Sequence, residues 1–406
     1  MKSIDLDFYN KDENLFNYKT ELRTKLSFHS WYRGPNCNYT PEKLTLLDYE
    51  AAFKYVLSGW LPEKPMITPE MAITSFGSCF AEHISKWLDR RDFNVLVSKE
   101  GTYADSYVVK FGEGMVNTFA IRGQFEWAWE GKTFEEPLWH GKDAKAYNYD
   151  DEIRQKTREV FDKTDVFILT LGLSEIWYDE HTGGVFWRAV PQDQFDETRH
   201  KFRVAKVEEN KNNLQAVYDL IRKHRPNAKV IFTLSPIPLT ATFRPVSCMS
   251  ANTVSKASLR AALDEFMIEN EQDGVAYYWP SYDIIREMFA DPWRIDRQHI
   301  KQPVIDFVMT IFEKYWCTGT NLRLSEQEAW VQAQASAQVH PHGFPEAVAA
   351  RDLPKLGEMI IQNLTEGQNE DAILILKWLE NIATTDPSTR EWMDVFLAKL
   401  AAAQQN

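Results

Sequence analysis

Short apolar runs alternate along the chain with stretches of helical periodicity. Five of the runs read as strands: MAITSFG over 71–77, FNVLVS over 93–98, DVFILTLG over 165–172, AKVIFTLSPIP over 228–238 and VAYYWP over 275–280. Most are continuously apolar, the pattern of strands covered on both faces. Val207, Leu214, Val217 and Ile221 share one helical face before a stop at Arg225 and Pro226, and a second helix is expected over 253–270. Strand, helix and strand in repeated order predicts right-handed crossovers and an α/β fold built on a doubly wound parallel sheet.

The flanks follow other patterns. IWYDEHTGGVFWRAV, 176–190, has two aromatic arms around a Gly-Gly turn and predicts an inserted hairpin. Residues 100–150 show weak periodicity and read as a loop-rich insertion, and LLDYEAAFKYVLSGWL predicts a helix late in an N-terminal extension. Strands stop beyond about residue 320, where 352–365, 369–383 and 388–402 carry helical patterns. The last is preceded by Asp386-Pro387, a cap followed by a first-turn proline. The expected division is an N-terminal extension over 1–65, an α/β domain over 66–318 and a C-terminal helical region over 319–406, the last a packing or oligomerisation element.

Composition narrows the class of function. An apolar fraction of 44% with 26% charged residues is that of a folded globular protein. The net charge of −13, with no local Lys/Arg cluster against it, disfavours nucleic acid as a partner and favours a neutral or weakly charged small molecule. MKSIDLDFYNKDENL lacks the apolar stretch of a secretory signal, and no run of about 18 apolar residues appears, so a cytoplasmic protein without a membrane span is expected. Cys37, Cys79, Cys248 and Cys317 have no metal-ligand spacing and are too sparse for a disulfide framework, which reads as reduced thiols. His340-Pro341-His342 reads as a loop, with no metal site expected.

Candidate chemistry gathers after the strands. In open α/β sheets ligands bind beyond the carboxyl ends of the strands. Gly77-Ser78-Cys79 follows the first run, Gly172-Leu173-Ser174-Glu175 the third and Ser235-Pro236 the fourth, so one sheet edge should collect them. A tight strand-to-helix turn leaves backbone N–H groups unpaired at the positive end of the helix dipole. At such a turn the Cys79 thiolate is favoured, and the same N–H groups can face a tetrahedral oxyanion. The plainer alternative makes Ser78 a helix cap and Cys79 a buried filler. In WRIDRQHI, Asp296 and His299 are spaced so that the acid can orient the ring toward a nucleophile; the plainer alternative is a solvated surface pair. Trp127, Trp129, Trp139, Trp177 and Trp187 cluster in sequence, either to stack on sugar rings or to fill the core.

FGSCFAEHI, GLSEIW, TLSPIPL, ANTVSKASLR and DRQH, in that order, resemble the GSCFA family, a branch of the SGNH/GDSL hydrolase-like superfamily, over roughly residues 66–316. The resemblance implies a flavodoxin-like three-layer fold and acyl-transfer chemistry. Laid on the superfamily's Gly-Asp-Ser block, Cys79 takes the nucleophile position and Ser78 the Asp position, with Ser78 as the alternative nucleophile. The Gly-x-Asn-Asp block falls on Gly172-Leu173-Ser174-Glu175, so Ser174 stands in place of the oxyanion-hole Asn. The single-glycine block falls on Gly112 or, preferably, Gly114, with Asn117 bracing the loop. Asp296 and His299 match the Asp-x-x-His block, and Glu175 is either a second orienting acid or a salt-bridged structural residue. In SANTVSKASLR, local pattern makes Asn252 or Thr253 a helix cap and favours a solvated helix face for Lys256 over neutralising an anion near the site. The expected function is an esterase or O-acyltransferase acting on an acylated carbohydrate, with no cofactor required and acyl-CoA as a candidate donor substrate. The rivals are a non-catalytic glycan-binding protein and a redox-sensing thiol, which would need a resolving cysteine.

Overall fold

The computed structural model describes residues 38–404 apart from 39, 42–44, 98–100, 111–113, 142, 271–272, 320–321, 323, 338–343 and 367–368. Cys37, Gly112, His340 and His342 therefore lie outside the described residues. The chain divides into two compact units, one of residues 59–286 and 293–323, the other of 1–58, 287–292 and 324–406.

Among its described residues the first unit holds six strands, β1 Ile73–Gly77, β2 Val166–Leu171, β3 Glu175–Asp179, β4 His200–Val204, β5 Lys229–Leu234 and β6 Ala276–Tyr278. Its helices are α1 Cys79–Asp89, α2 Tyr107–Lys110, α3 Thr118–Phe125, α4 Asp151–Lys163, α5 Val207–His224, α6 Cys248–Asn270, α7 Ser281–Met288, of which 287 and 288 count with the other unit, and α8 Gln302–Trp316. A parallel four-stranded sheet runs β1-β2-β5-β6, flanked by helices. Every residue of β1 and β2 is buried, as their continuous apolar runs demand.

Two expected elements take other forms. The run over 93–98 shrinks to one parallel bridge, Val95 to Ile73, with Ile73 N–H donating to the Asn94 carbonyl and Leu96 N–H to that of Ile73. Asn94 is exposed and 95–97 are half-buried, so this edge lacks the two-sided cover that drives a full strand. The bridge nevertheless sets the topology. After β1 the chain pairs first on one side of it, through Val95, and then on the other, through β2. The order reverses at β1, and its carboxyl end is a switch point of the kind where ligands bind.

The hairpin at 176–190 also differs. The turn closes, with Asp179 N–H donating to Gly184 and Phe186 N–H to Trp177, but its second arm makes a single bridge, Tyr178 to Val185. The ladder partner of β3 is β4, antiparallel from Glu175↔Val204 to Asp179↔His200. α6 starts earlier than its apolar period indicated, at Cys248, where Ser247 accepts from the Ser250 N–H. Asn252 and Thr253 are consequently inside the helix and cap nothing; Asn252 Oδ1 accepts from Leu239 N–H at 3.0 Å.

The second unit is helical in its described residues. A helical turn, Phe53–Leu57, occupies the expected N-terminal position. α9 Glu326–Ala337 and α10 Phe344–Ala349 precede α11 Leu353–Thr365, α12 Asn369–Ala383 and α13 Pro387–Gln404, the last three close to their sequence bounds. Leu356, Ile360, Ile375 and Leu379 are fully buried among them, and Asp386 accepts from the Ser388 N–H at the start of α13. Among the described residues no helix is long and apolar enough to cross a membrane.

Candidate active site

β1 ends in a glycine because nothing larger fits. Gly77 adopts φ +130°, and a Cβ there would stand 2.1 Å from the Thr170 carbonyl oxygen of β2. This close approach carries the chain into Ser78, whose N–H donates to the Thr170 carbonyl at 3.0 Å and to its hydroxyl at 2.6 Å. Ser78 is the N-cap of α1: its Oγ accepts from Phe80 N–H at 3.3 Å and lies 3.0 Å from Thr170 Oγ1, with the residue 3% exposed. Cys79 follows as the first residue of α1, half-buried and reduced. Of the two adjacent candidates, then, Ser78 takes the capping position and Cys79 the head of the helix. Gly114 reaches the same place, in an antiparallel bridge with Ser78, and a Cβ on it would meet the Trp187 indole at 2.4 Å.

The residues after β2 and β5 are more enclosed than their sequence suggests. Gly172 and Leu173 both donate N–H groups to the Val116 carbonyl. Asn117 next to it caps α3 through Ala120 N–H and donates its amide to the Phe186 and Trp187 carbonyls, bracing that loop. Ser174 is fully buried against α6. Its N–H donates to Ser255 Oγ at 2.8 Å and its hydroxyl to the Ser255 carbonyl at 3.3 Å, which turns the expected oxyanion donor into a clasp between β2 and α6. Glu175 is 7% exposed, and both its oxygens lie within 2.9 Å of the Thr242 hydroxyl, so it anchors the loop after β5 by hydrogen bonding, and its contact is not with the Asp296–His299 pair.

Lys256 overturns the expected solvated helix face. It is 2% exposed, and its Nζ donates to the Gly172 carbonyl at 2.6 Å and the Ser235 carbonyl at 2.7 Å, at the carboxyl ends of β2 and β5. Burial brings its pKa down to about 7, and the charge of Cys79 acts in the opposite direction. The signal was present in the sequence: Lys256, Leu259, Leu263 and Phe266 lie on one helical face, and the other three are core residues. Thr170, which braces the turn, carries no such signal, being one polar residue in an apolar strand.

Asp296 and His299 form the expected pair in an exposed loop. The Trp293–Ile300 bridge and Arg297, in the left-handed region at φ 54°, close the loop on itself. Asp296 accepts from the Gln298 and His299 N–H groups, and its Oδ2 lies 2.6 Å from His299 Nδ1. The His299 N–H and then its ring hold the Asp296 carboxyl well below the usual carboxylate range. The His299 side chain is 60% exposed. The loop is placed by α8, which follows it directly and meets the far end of α1 where Trp87 Nε1 donates to Glu313 at 2.8 Å. His83, one turn beyond Cys79 on α1, links the two regions: burial lowers its pKa, and the charges of Arg294 and His299 lower it further.

Trp127, Trp129, Trp139 and Trp187 are all buried in the core, which removes them as sugar-stacking faces. Only Trp177 is half-exposed, packed against Phe195, Phe202 and Phe243. Among the described residues no group of three His, Cys, Asp or Glu side chains gathers to hold a metal ion.

The GSCFA family profile matches residues 72–312, more than half of the chain, from the start of β1 through most of α8; the chain belongs to the GSCFA family. No curated protein matches it.

Proposed function

We propose that this GSCFA family protein is an acyl-transfer enzyme of the SGNH type with Cys79 as its nucleophile. The observation that carries the reading is the seat of Cys79: first residue of α1, at the carboxyl end of β1, where the order of the sheet reverses. The capping role of Ser78 favours the sulfur over the neighbouring hydroxyl.

In this reading the Cys79 sulfur attacks the carbonyl carbon of an ester or thioester, and the carbonyl electron pair moves onto oxygen. N–H groups of the first turn of α1 and of Gly114 stabilise that oxyanion. His299, steadied by Asp296, takes the proton released by the thiol and delivers it to the departing oxygen or sulfur as the old acyl bond breaks. The oxygen of water or of a sugar hydroxyl then attacks the thioester carbonyl and gives its proton to His299, and the C–S bond breaks with the electron pair returning to the Cys79 sulfur, so that the acyl group leaves as acid or new ester. Ser174 and Asn117 act by holding β2, α3 and α6 around the turn. An acylated carbohydrate is the proposed substrate class, with acyl-CoA as donor where transfer replaces hydrolysis.

The test is release of p-nitrophenol from p-nitrophenyl acetate, with and without added sugars. The wild type should show a burst and sugar-dependent acyl transfer, and Cys79→Ala should show neither. A Cys79→Ala protein as active as wild type removes the sulfur from the mechanism.

A further inference from the structure

Burying a lysine is costly unless its charge is used or lost. Lys256 sits at the carboxyl ends of β2 and β5, and on the neighbouring strand Cys79 stands as many residues past the Gly77↔Thr170 pair as Gly172 does. Its α6 neighbours Leu259 and Leu263 are sealed in the core. Two carbonyls, of Gly172 and Ser235, accept from its Nζ. An ammonium has three donors, so these leave one. The one ionisable group whose charge acts on the amine, among the described residues, is Cys79.

We infer that Lys256 is the counter-charge of Cys79, a buried ammonium that holds the sulfur as thiolate at the start of α1. The inference rests on the acyl-transfer reading for its purpose, but its own observable is the ionisation of the thiol. Coupling between two ionisable groups is mutual: a thiolate that favours protonation of the lysine is favoured by the protonated lysine to the same extent. The positive end of α1 adds to the effect. Other charged groups near the first turns of α1 are Glu82, Lys86, Arg294 and His299, all of which act on His83. Glu82 opposes a thiolate and is ion-paired with Lys86 at 2.9 Å. Arg294 and His299 lie in the exposed loop, where solvent screens them. Lys256 differs from all of them in being buried, where solvent does not screen its charge.

A merely structural lysine would tie α6 to the strand ends and leave the thiol ordinary. Thiolate ultraviolet absorbance, recorded against pH for wild type and for Cys79→Ser, isolates the titration of Cys79 from the other cysteines. The wild-type midpoint should fall at least about one unit below the ordinary thiol value of about 8.5. Lys256→Met should move it up by about one unit or more, a tenfold fall in the thiolate-to-thiol ratio near neutral pH, while Lys256→Arg, which keeps the charge, should keep it low. A wild-type midpoint at or above about 8.5 overturns the proposal without any lysine variant. So does a folded Lys256→Met protein that titrates like wild type. A low midpoint that rises in Lys256→Met, in a protein that turns over no ester, keeps the counter-charge and refutes acyl transfer, so the two readings fail separately.

Discussion

Gly77 and Thr170 meet backbone to backbone: a Cβ on the glycine would lie 2.1 Å from the threonine carbonyl oxygen and 2.8 Å from its hydroxyl. Both obstacles belong to a buried central strand, and φ +130° is itself strained for any side chain. Gly77→Ala should therefore cost about 3 kcal/mol or more of stability, read as a fall in the urea midpoint. A loss under about 1 kcal/mol would mean that the turn is looser than this packing allows.

Ser78 and Cys79 are adjacent, yet their removal should separate cleanly. Ser78→Ala deletes a cap and should lower stability by about 1 kcal/mol while leaving ester turnover in place. Cys79→Ala should do the reverse, abolishing turnover at little cost in stability. Loss of turnover in Ser78→Ala at full thiol reactivity would transfer the nucleophile to the hydroxyl.

The exposed Asp296–His299 loop should affect chemistry far more than folding. His299→Ala should reduce turnover by about a hundredfold or more with only a small fall in melting temperature, the exposed pair adding little to stability. Asp296 has a folded pKa below its unfolded value, so its contribution to stability is present above about pH 4 and is lost as pH falls further, through the folded value. Any difference in melting temperature between wild type and Asp296→Asn at neutral pH should shrink below about pH 4. A difference that grew on acidification would contradict the hydrogen bonding seen in the loop.

Lys256 has the opposite pH signature. Its folded pKa of about 7 lies below the unfolded value of about 10.4, so between these limits the unfolded chain binds more protons and stability rises with pH. The sign is the same if Cys79 gives up the proton in place of the lysine. Wild-type stability relative to Lys256→Met should thus climb above pH 7 by at most about 1.4 kcal/mol per pH unit, as measured by denaturant midpoints in a pH series, levelling off past about pH 8.5 where the thiol gives up the proton, as the counter-charge requires, and only past about pH 10.4 where the amine does. A flat or falling difference would exclude a buried amine of lowered pKa.

The sequence by itself determined the parts that depend on near neighbours. Continuous apolar runs identified β1, β2, β5 and β6 as doubly covered strands, and the Gly77-Ser78-Cys79 turn followed from a glycine and a cap between a strand and a helix. The caps and spacing of α11, α12 and α13 were equally local, and the motifs from FGSCFAEHI to DRQH carried the family. Tertiary structure alone decided what lies over each residue. It paired β3 with β4, buried four of the five clustered tryptophans, packed Ser174 against α6 and brought Lys256 to strand ends far from it in the chain. The physical reason is that periodicity reports which face of an element is apolar, whereas burial, counter-charge and hydrogen-bond partners are supplied by distant segments. A lysine on an apolar face is legible as a conflict in one dimension; only the folded chain shows that two carbonyls, at the ends of β2 and β5, accept its hydrogen bonds.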